Sequence, residues 1–366
     1  MGPFKPAAMK QAMNEILRRH ESWRTSFEMV DSELIQRIHP VVSLDVPVDD
    51  VSHLPDIERS DAADALACAD VDQPFDLETA PLLRVRIVKL AAEDHRLYIA
   101  LHHIIFDGLS VYRVILPELA ALYDAFAAGK PSPLPEPGLQ YGDYAVWQQG
   151  YLASGEAERH LDHWRGALAD APARLALATD HPRPAERTHA GAMEVFSLSP
   201  ALTDQLKALS RADGVTLYMT LLAAFKAMLY RYTGEEDIIV GGVTDVRGRS
   251  ELERLVGYCL NTLALRSRPQ DALPFRSFLA QVRDSVLGAF GASEVPFDMV
   301  LRALKVRAEP GAHPLFDILF SMQPAVDPFP RGWDLTHMEA AVGAAKFDLY
   351  LEVEERSDDL IGRIVY

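Results

Sequence analysis

His102-His103-Ile104-Ile105-Phe106-Asp107-Gly108 follows directly on Arg96-Leu97-Tyr98-Ile99-Ala100-Leu101, a run that reads as a strand returning from a turn at Glu93-Asp94-His95. Adjacent strand residues face opposite ways, so His102 and His103 cannot both address one small substrate atom unless the strand ends between them. One of the pair is therefore expected to be structural and the other functional. Gly108 permits a sharp turn after Asp107, and Asp107 can fold back to hold a backbone group or a cation beneath the histidine. A histidine at a strand end is often no more than a satisfied packing residue. Here the whole run needs explaining. An imidazole titrating near pH ~6.5 is suited to take a proton from an amine or hydroxyl attacking an acyl carbonyl. The chain has no G-x-S-x-G elbow, so direct attack by an acceptor fits better than a covalent acyl-enzyme. The spacing of the pair and Asp107 is not that of a helical zinc site, and no metal is expected.

Outward from this run, Leu83-Arg84-Val85-Arg86-Ile87-Val88-Lys89-Leu90 alternates as a half-buried strand, and Leu109 to Ala127 reads as a helix with a kink or break at Pro117. Upstream, Met9 to His20 places Met9, Ala12, Met13, Ile16 and Leu17 at helical spacing. Ser26 to Val30 and Leu34 to Ile38 flank a polar turn as a β-hairpin does, and Asp56 to Ala69 is an acidic helix. Downstream, Lys130 to Gly138 carries four prolines and is expected to be an extended loop, followed by a helix from Tyr144 to Arg165. The later half repeats the same kinds of element: strands at Gly191 to Leu198, Asp237 to Gly242, Leu315 to Met322, Leu349 to Val353 and Leu360 to Tyr366, and helices at Pro200 to Asp213, Thr216 to Thr233 and Phe275 to Gly291. The break Thr179-Asp180-His181-Pro182-Arg183-Pro184 divides the expected subdomains, 1–180 and 181–366. Mixed α/β layers, with helices covering a sheet in each half, are the expected fold class.

The 366 residues suffice for two compact units or one large body, and no apolar run reaches membrane-spanning length. The N-terminus lacks a signal-peptide pattern, so a cytoplasmic location is expected, without membrane partners. A balance of 36 Lys and Arg against 53 Asp and Glu disfavours nucleic acid as a partner, since phosphate neutralisation needs clustered cations. Cys68 and Cys259 are far apart and are expected to be buried free thiols.

The run His102 to Gly108 resembles the His-His-x-x-x-Asp-Gly signature of nonribosomal peptide synthetase condensation domains, and five further segments match in order. Arg19-His20-Glu21-Ser22-Trp23-Arg24-Thr25-Ser26-Phe27 resembles the early Arg-His-Glu-x-x-Arg-Thr-x-Phe motif. Tyr141 to Trp147 is similar to Tyr-x-Asp-Tyr-Ala-x-Trp, and Val256-Gly257-Tyr258-Cys259-Leu260-Asn261-Thr262 to Val-Gly-x-x-x-Asn-Thr. Glu294 to Asp298 and His313 to Phe320 match the last two. Each segment alone is weak, but the ordered set spans most of the chain.

The resemblance implies two chloramphenicol-acetyltransferase-like subdomains forming a V, with a central tunnel entered by the phosphopantetheine arms of donor and acceptor carrier proteins. It further implies amide formation by attack of an acceptor amine on a carrier-bound acyl thioester, neighbouring synthetase domains as partners, and no cofactor bound by the chain itself. His103 is then the active-site histidine, and Gly108 supplies a backbone amide near the reacting centre. His102 and Asp107 support the site, with Arg19 or Arg24 as the expected partner of Asp107 through an Arg fork. Asn261 lies where the chain crosses between subdomains, and Trp147 is expected in packing rather than at the substrate.

The family's opening strand and final helix are not in this sequence, and Thr244-Asp245-Val246-Arg247 departs from the usual small-residue pattern before the Arg. Leu109 stands where the family usually has Trp, a feature similar to condensation domains placed after polyketide modules. Heterocyclisation is disfavoured by the intact histidine pair, and epimerisation by the lack of a Glu-Gly-His segment. Two alternatives stay open: an ester-forming or free-standing acyltransferase, and a non-catalytic module that docks a carrier protein or tailoring enzyme.

Overall fold

The structure is a computed structural model that describes residues 4–172, 174–180, 188, 190–306, 313–323, 344–356 and 359–366. Pro6 begins the first helix, α1 (Pro6–Arg19), where a missing N–H costs nothing. Met9, Ala12, Met13, Ile16 and Leu17 are each no more than 1% exposed, so the apolar stripe seen in the sequence is the buried face. Burial of each of the larger ones is worth about 1.5–3 kcal/mol. A short 3-10 turn, Glu21–Arg24, leads into the hairpin β1 (Thr25–Val30) and β2 (Glu33–Ile38). Its two connecting residues, Asp31 and Ser32, have φ of 49° and 67°. Positive φ at both central positions makes a turn whose twist matches the strands.

Next come β3 (Val48–Asp50), α2 (Asp56–Asp72), β4 (Leu83–Lys89) and β5 (His95–Leu101). These three strands form one sheet, β3 parallel and β5 antiparallel to β4. A helical stretch follows: α3 (Gly108–Ser110), a π-turn at Val111–Ile115, and α4 (Leu116–Ala127). Of the kink or break expected at Pro117, the break does not occur: the helical stretch runs through the proline. The π-turn, in which the Leu116 N–H reaches Val111 O, resets the backbone so that Pro117 falls in the first turn of α4. Residues 130–140 form no helix or strand, matching the proline-rich loop.

The single helix expected from Tyr144 to Arg165 is two, α5 (Tyr141–Leu152) and α6 (Gly155–Ala167). Ser154 divides them by capping α6 through its hydroxyl, which accepts from Glu156 N at 3.3 Å. The rest comprises β6 (Met193–Leu198), α7 (Pro200–Ala212), α8 (Leu217–Thr233), β7 (Ile238–Asp245), β8 (Leu260–Ser267), α9 (Phe275–Gly291), α10 (Phe297–Ala303), β9 (Ile318–Gln323), β10 (Leu349–Glu355) and β11 (Leu360–Val365). Their strands build a six-stranded mixed sheet in the order β6-β11-β10-β9-β7-β8. Mixed α/β architecture is thus the observed fold class. No single helix among the described residues is long and apolar enough to cross a membrane.

Two compact units result, divided elsewhere than at residue 180. One holds the residues up to Gln149 together with Arg247–Cys259; the other holds Gly150–Val246 and the described residues from Leu260 onward. The physical reason is packing: Val256, from the returning segment, is 4% exposed within the same apolar core as Met13, Leu17, Ile105 and Leu119. Of the composition break near 180, His181 to Pro184 lie outside the described residues. Cys259 is buried, whereas Cys68 is only half-buried on α2, because the acidic helix turns little of its surface inward.

Candidate active site

The β4–β5 ladder decides between the two histidines. Its last pair is Leu83 with Leu101; beyond it the His102 N–H donates to Leu82 O at 3.0 Å, and a 3-10 turn begins at His103. β5 itself ends at Leu101, just before the pair, and the turn that starts at His103 gives the two side chains different surroundings. His102 is half-buried, accepts from Ile104 N at 3.2 Å through Nδ1, and meets the Phe75 ring edge-on at 6.0 Å. His103 is exposed. Its Nδ1 lies 2.9 Å from Phe106 O, and its ring stacks on Phe106 with centroids 4.7 Å apart. A carbonyl oxygen only accepts, so this contact requires Nδ1–H, and in the neutral ring the lone pair is then on Nε2.

Asp107, 0% exposed, is the buried anchor of the site. One oxygen, Oδ1, accepts from Ser110 N at 2.8 Å and Ser110 Oγ at 2.9 Å, capping the helix that begins at Gly108. The other, Oδ2, accepts from Cys259 N at 2.8 Å and pairs with Arg247 Nη2 at 2.8 Å. Four donors on one carboxylate replace the water it lost on burial. Gly108 is the first residue of this helix, where amides lack intrahelical partners and favour approaching negative charge.

Neither expected arginine is the partner of Asp107. Arg19 turns to Glu118 on α4, with Nε 3.1 Å from Oε2, and His20 joins it there at 2.9 Å. Arg24 bonds Glu21 at 3.1 Å and His39 O at 2.6 Å. Both sit at the end of α1 or on the turn after it, where these acceptors take up part of each guanidinium, while Arg19 Nη1 and Arg24 Nε stay buried without a hydrogen bond among the described residues. The true partner, Arg247, was legible only as a departure from a motif. Its guanidinium also reaches Leu255 O at 3.0 Å and Ser110 Oγ at 2.8 Å, so it ties the returning segment to the signature run.

That segment is held closely. Ser110 Oγ is 3.0 Å from Gly257 O and 3.2 Å from Gly257 N, and the Tyr141 hydroxyl donates to Tyr258 O at 2.9 Å. A Cβ at Gly257 would lie 2.1 Å from the Tyr141 ring, which is why only glycine fits. The Tyr258 and His103 ring centroids are 5.3 Å apart, with the two planes at 75°. Ser110, Tyr141 and Tyr258 went unread as site residues. The Asp-x-x-Ser spacing of Asp107 and Ser110 was a usable capping signal for the first.

Asn261, in the other unit, is a scaffold for the loop before α10. Its Nδ2 donates to Ser293 O and Val295 O, both at 2.7 Å, and its Oδ1 accepts from Phe297 N at 3.1 Å. The unit boundary falls just before it, between Cys259 and Leu260. Trp147 is half-buried rather than core, with Arg249 over its ring at 4.6 Å. Burial, opposed by hydrogen bonds from His20 and Arg19 that outweigh it, leaves the Glu118 carboxyl at about 2. Burial pushes the Tyr258 phenol up, and the Asp107 charge adds to that. No group of three or more His, Cys, Asp or Glu that could hold a metal ion occurs among the described residues.

The family model described as Condensation domain matches residues 1–366. Tyrocidine synthase 3 of Brevibacillus parabrevis is 38% identical over 367 residues, covering 100% of this chain and 5% of that protein. Among solved structures, the X-domain in complex with OxyB from teicoplanin biosynthesis superimposes with a TM-score of 0.83 at 25% identity, covering 100% of this chain and 80% of that one. The first condensation domain of the calcium-dependent antibiotic synthetase, solved with a substrate analogue, gives 0.78 at 20% identity over 100% of this chain and 82% of its own.

Proposed function

The chain belongs to the condensation-domain family, and from that premise we propose that it forms an amide between an acyl group held as a thioester on one carrier protein and the amine of an acceptor held on another. The single observation that carries this reading is the 2.9 Å bond from His103 Nδ1–H to Phe106 O, which leaves a basic Nε2 on an exposed ring. The acceptor nitrogen attacks the thioester carbonyl carbon, and its proton passes to Nε2 as the N–C bond forms. Collapse of the tetrahedral species breaks the C–S bond and returns the proton to the departing pantetheine sulfur. Gly108, at the helix start, is placed by this reading near the oxyanion. Asp107 and Arg247 hold the frame, and His102 supports the turn.

Substrates arrive on phosphopantetheine arms, and the chain holds no cofactor of its own in this reading. The chain spans 5% of the length of tyrocidine synthase 3, so neighbouring synthetase domains are part of the proposal. An ester-forming reaction uses the same base with a hydroxyl acceptor. A docking role is favoured by the likeness to the X-domain solved with OxyB. The test is His103→Ala with a synthetic acyl-pantetheine donor and amine or alcohol acceptors, read by mass spectrometry. Loss of ~10²–10⁴-fold in turnover, with carrier binding retained, supports general-base catalysis; unchanged product formation rejects His103 as the base, and none from the unaltered chain favours the docking role.

A further inference from the structure

An exposed imidazole tethered by one hydrogen bond is free to rotate unless something else confines it. A half-turn about Cβ–Cγ would break the Nδ1 bond to Phe106 O and put Cε1 where Nε2 had been. Phe106 covers one face of His103, with ring planes 17° apart. Tyr258 stands against it at 75° and 5.3 Å, from a segment more than a hundred residues away in sequence. Three successive residues of that segment are tied through the backbone: Gly257 N to Ser110 Oγ at 3.2 Å, Tyr258 O to the Tyr141 hydroxyl at 2.9 Å, and Cys259 N to Asp107 Oδ2 at 2.8 Å. Tyr258 itself is 40% exposed, so its ring is not there to fill the core.

We propose that Tyr258 is a positioning residue: its ring and Phe106 together hold His103 in the orientation whose Nδ1–H faces Phe106 O and whose Nε2 faces substrate. The inference rests on His103 being the base. It also gives the buried Asp107–Arg247–Ser110 cluster a route to the chemistry. The cluster fixes the backbone on either side of Tyr258, and Tyr258 confines the imidazole. An aromatic ring performs this task with or without a hydroxyl, so phenylalanine should substitute and a small aliphatic side chain should not.

The experiment uses the whole chain with ¹⁵N-labelled histidine and reads the His103 tautomer from two-bond ¹H–¹⁵N correlations above its titration, beside steady-state kinetics. The unaltered chain and Tyr258→Phe are expected to show the Nδ1–H form alone. Tyr258→Ala, with Tyr258→Leu as a second variant should the first fail to fold, is expected to show mixed tautomers. Its kcat should fall roughly tenfold to a hundredfold, with acceptor KM moving less than about threefold. A single Nδ1–H form retained in the aliphatic variants overturns the inference whatever their turnover. Turnover that survives His103→Ala overturns the function proposed above instead, and the tautomer spectra still decide this one.

Discussion

Replacing Asp107 with alanine should be the most damaging single change near the signature run. It removes the acceptor for Ser110 N, Ser110 Oγ, Cys259 N and Arg247 Nη2 at one stroke. Arg247, whose side chain is 4% exposed, would lose this carboxylate and keep neutral acceptors such as Leu255 O and Gly257 O. Leaving one member of a buried pair costs about 3–5 kcal/mol. Loss of the helix cap adds ~1 kcal/mol. The two are not fully additive, because Ser110 belongs to both networks. We therefore expect a total near ~4 kcal/mol, read as a lower urea midpoint of the unit containing residues up to Gln149, followed by Trp23 fluorescence. Asp107→Asn keeps the shape and should cost less. In the pair Asp107→Ala with Arg247→Met, the coupling should recover most of the penalty, since the stranded charge is gone. A loss below about 1 kcal/mol for Asp107→Ala, or no coupling with Arg247→Met, would refute the reasoning that this pair frames the site.

Two other changes follow from the same geometry. Glu118 is held at about 2 in the folded chain, below the ordinary 4.5, by His20 and Arg19 against the opposing effect of burial. The unfolded chain thus binds the extra proton first, so this stability is fully present above about 4.5 and is lost as pH falls toward 2. Urea midpoints measured from about pH 6 down to about pH 2 should fall across that window, and Glu118→Gln should flatten the fall; an unchanged slope in the variant would count against the His20–Arg19–Glu118 account. Gly257→Ala must push a Cβ into the Tyr141 ring from 2.1 Å. It should cost about 1–3 kcal/mol as overpacking, and Tyr141→Ala in the same chain should relieve part of it; thermal unfolding of the single and double variants checks both.

Much of the fold was legible because its elements announce themselves locally. The 3.6-residue stripe of α1, the alternation of β4 and the polar turn between β1 and β2 each need only neighbours in sequence. The reading failed where a local signal was shared by two outcomes. Ser154 looks like any helix surface residue until its hydroxyl is seen capping α6, and Pro117 announced a break that a π-turn absorbs. The strand β8, which carries Asn261 and Thr262, was not among the expected strands. Its pairing with β7, Asn261 opposite Thr244, supplies what sequence lacked.

The sequence alone determined that two histidines, an acid and a glycine meet within seven residues at a strand end, and the order of its motifs singled out His103 for the role proposed above. Tertiary structure alone decided which cation meets Asp107 and which ring meets His103. Arg19 and Arg24 carry the same charge as Arg247, and spacing along a chain cannot rank three identical guanidiniums. Only the return of residues Arg247–Cys259 to the first unit brings Arg247 to 2.8 Å from the carboxylate and Tyr258 to 5.3 Å from the imidazole. A buried charge takes the partner that packing delivers within bonding distance, and that delivery is a property of the fold.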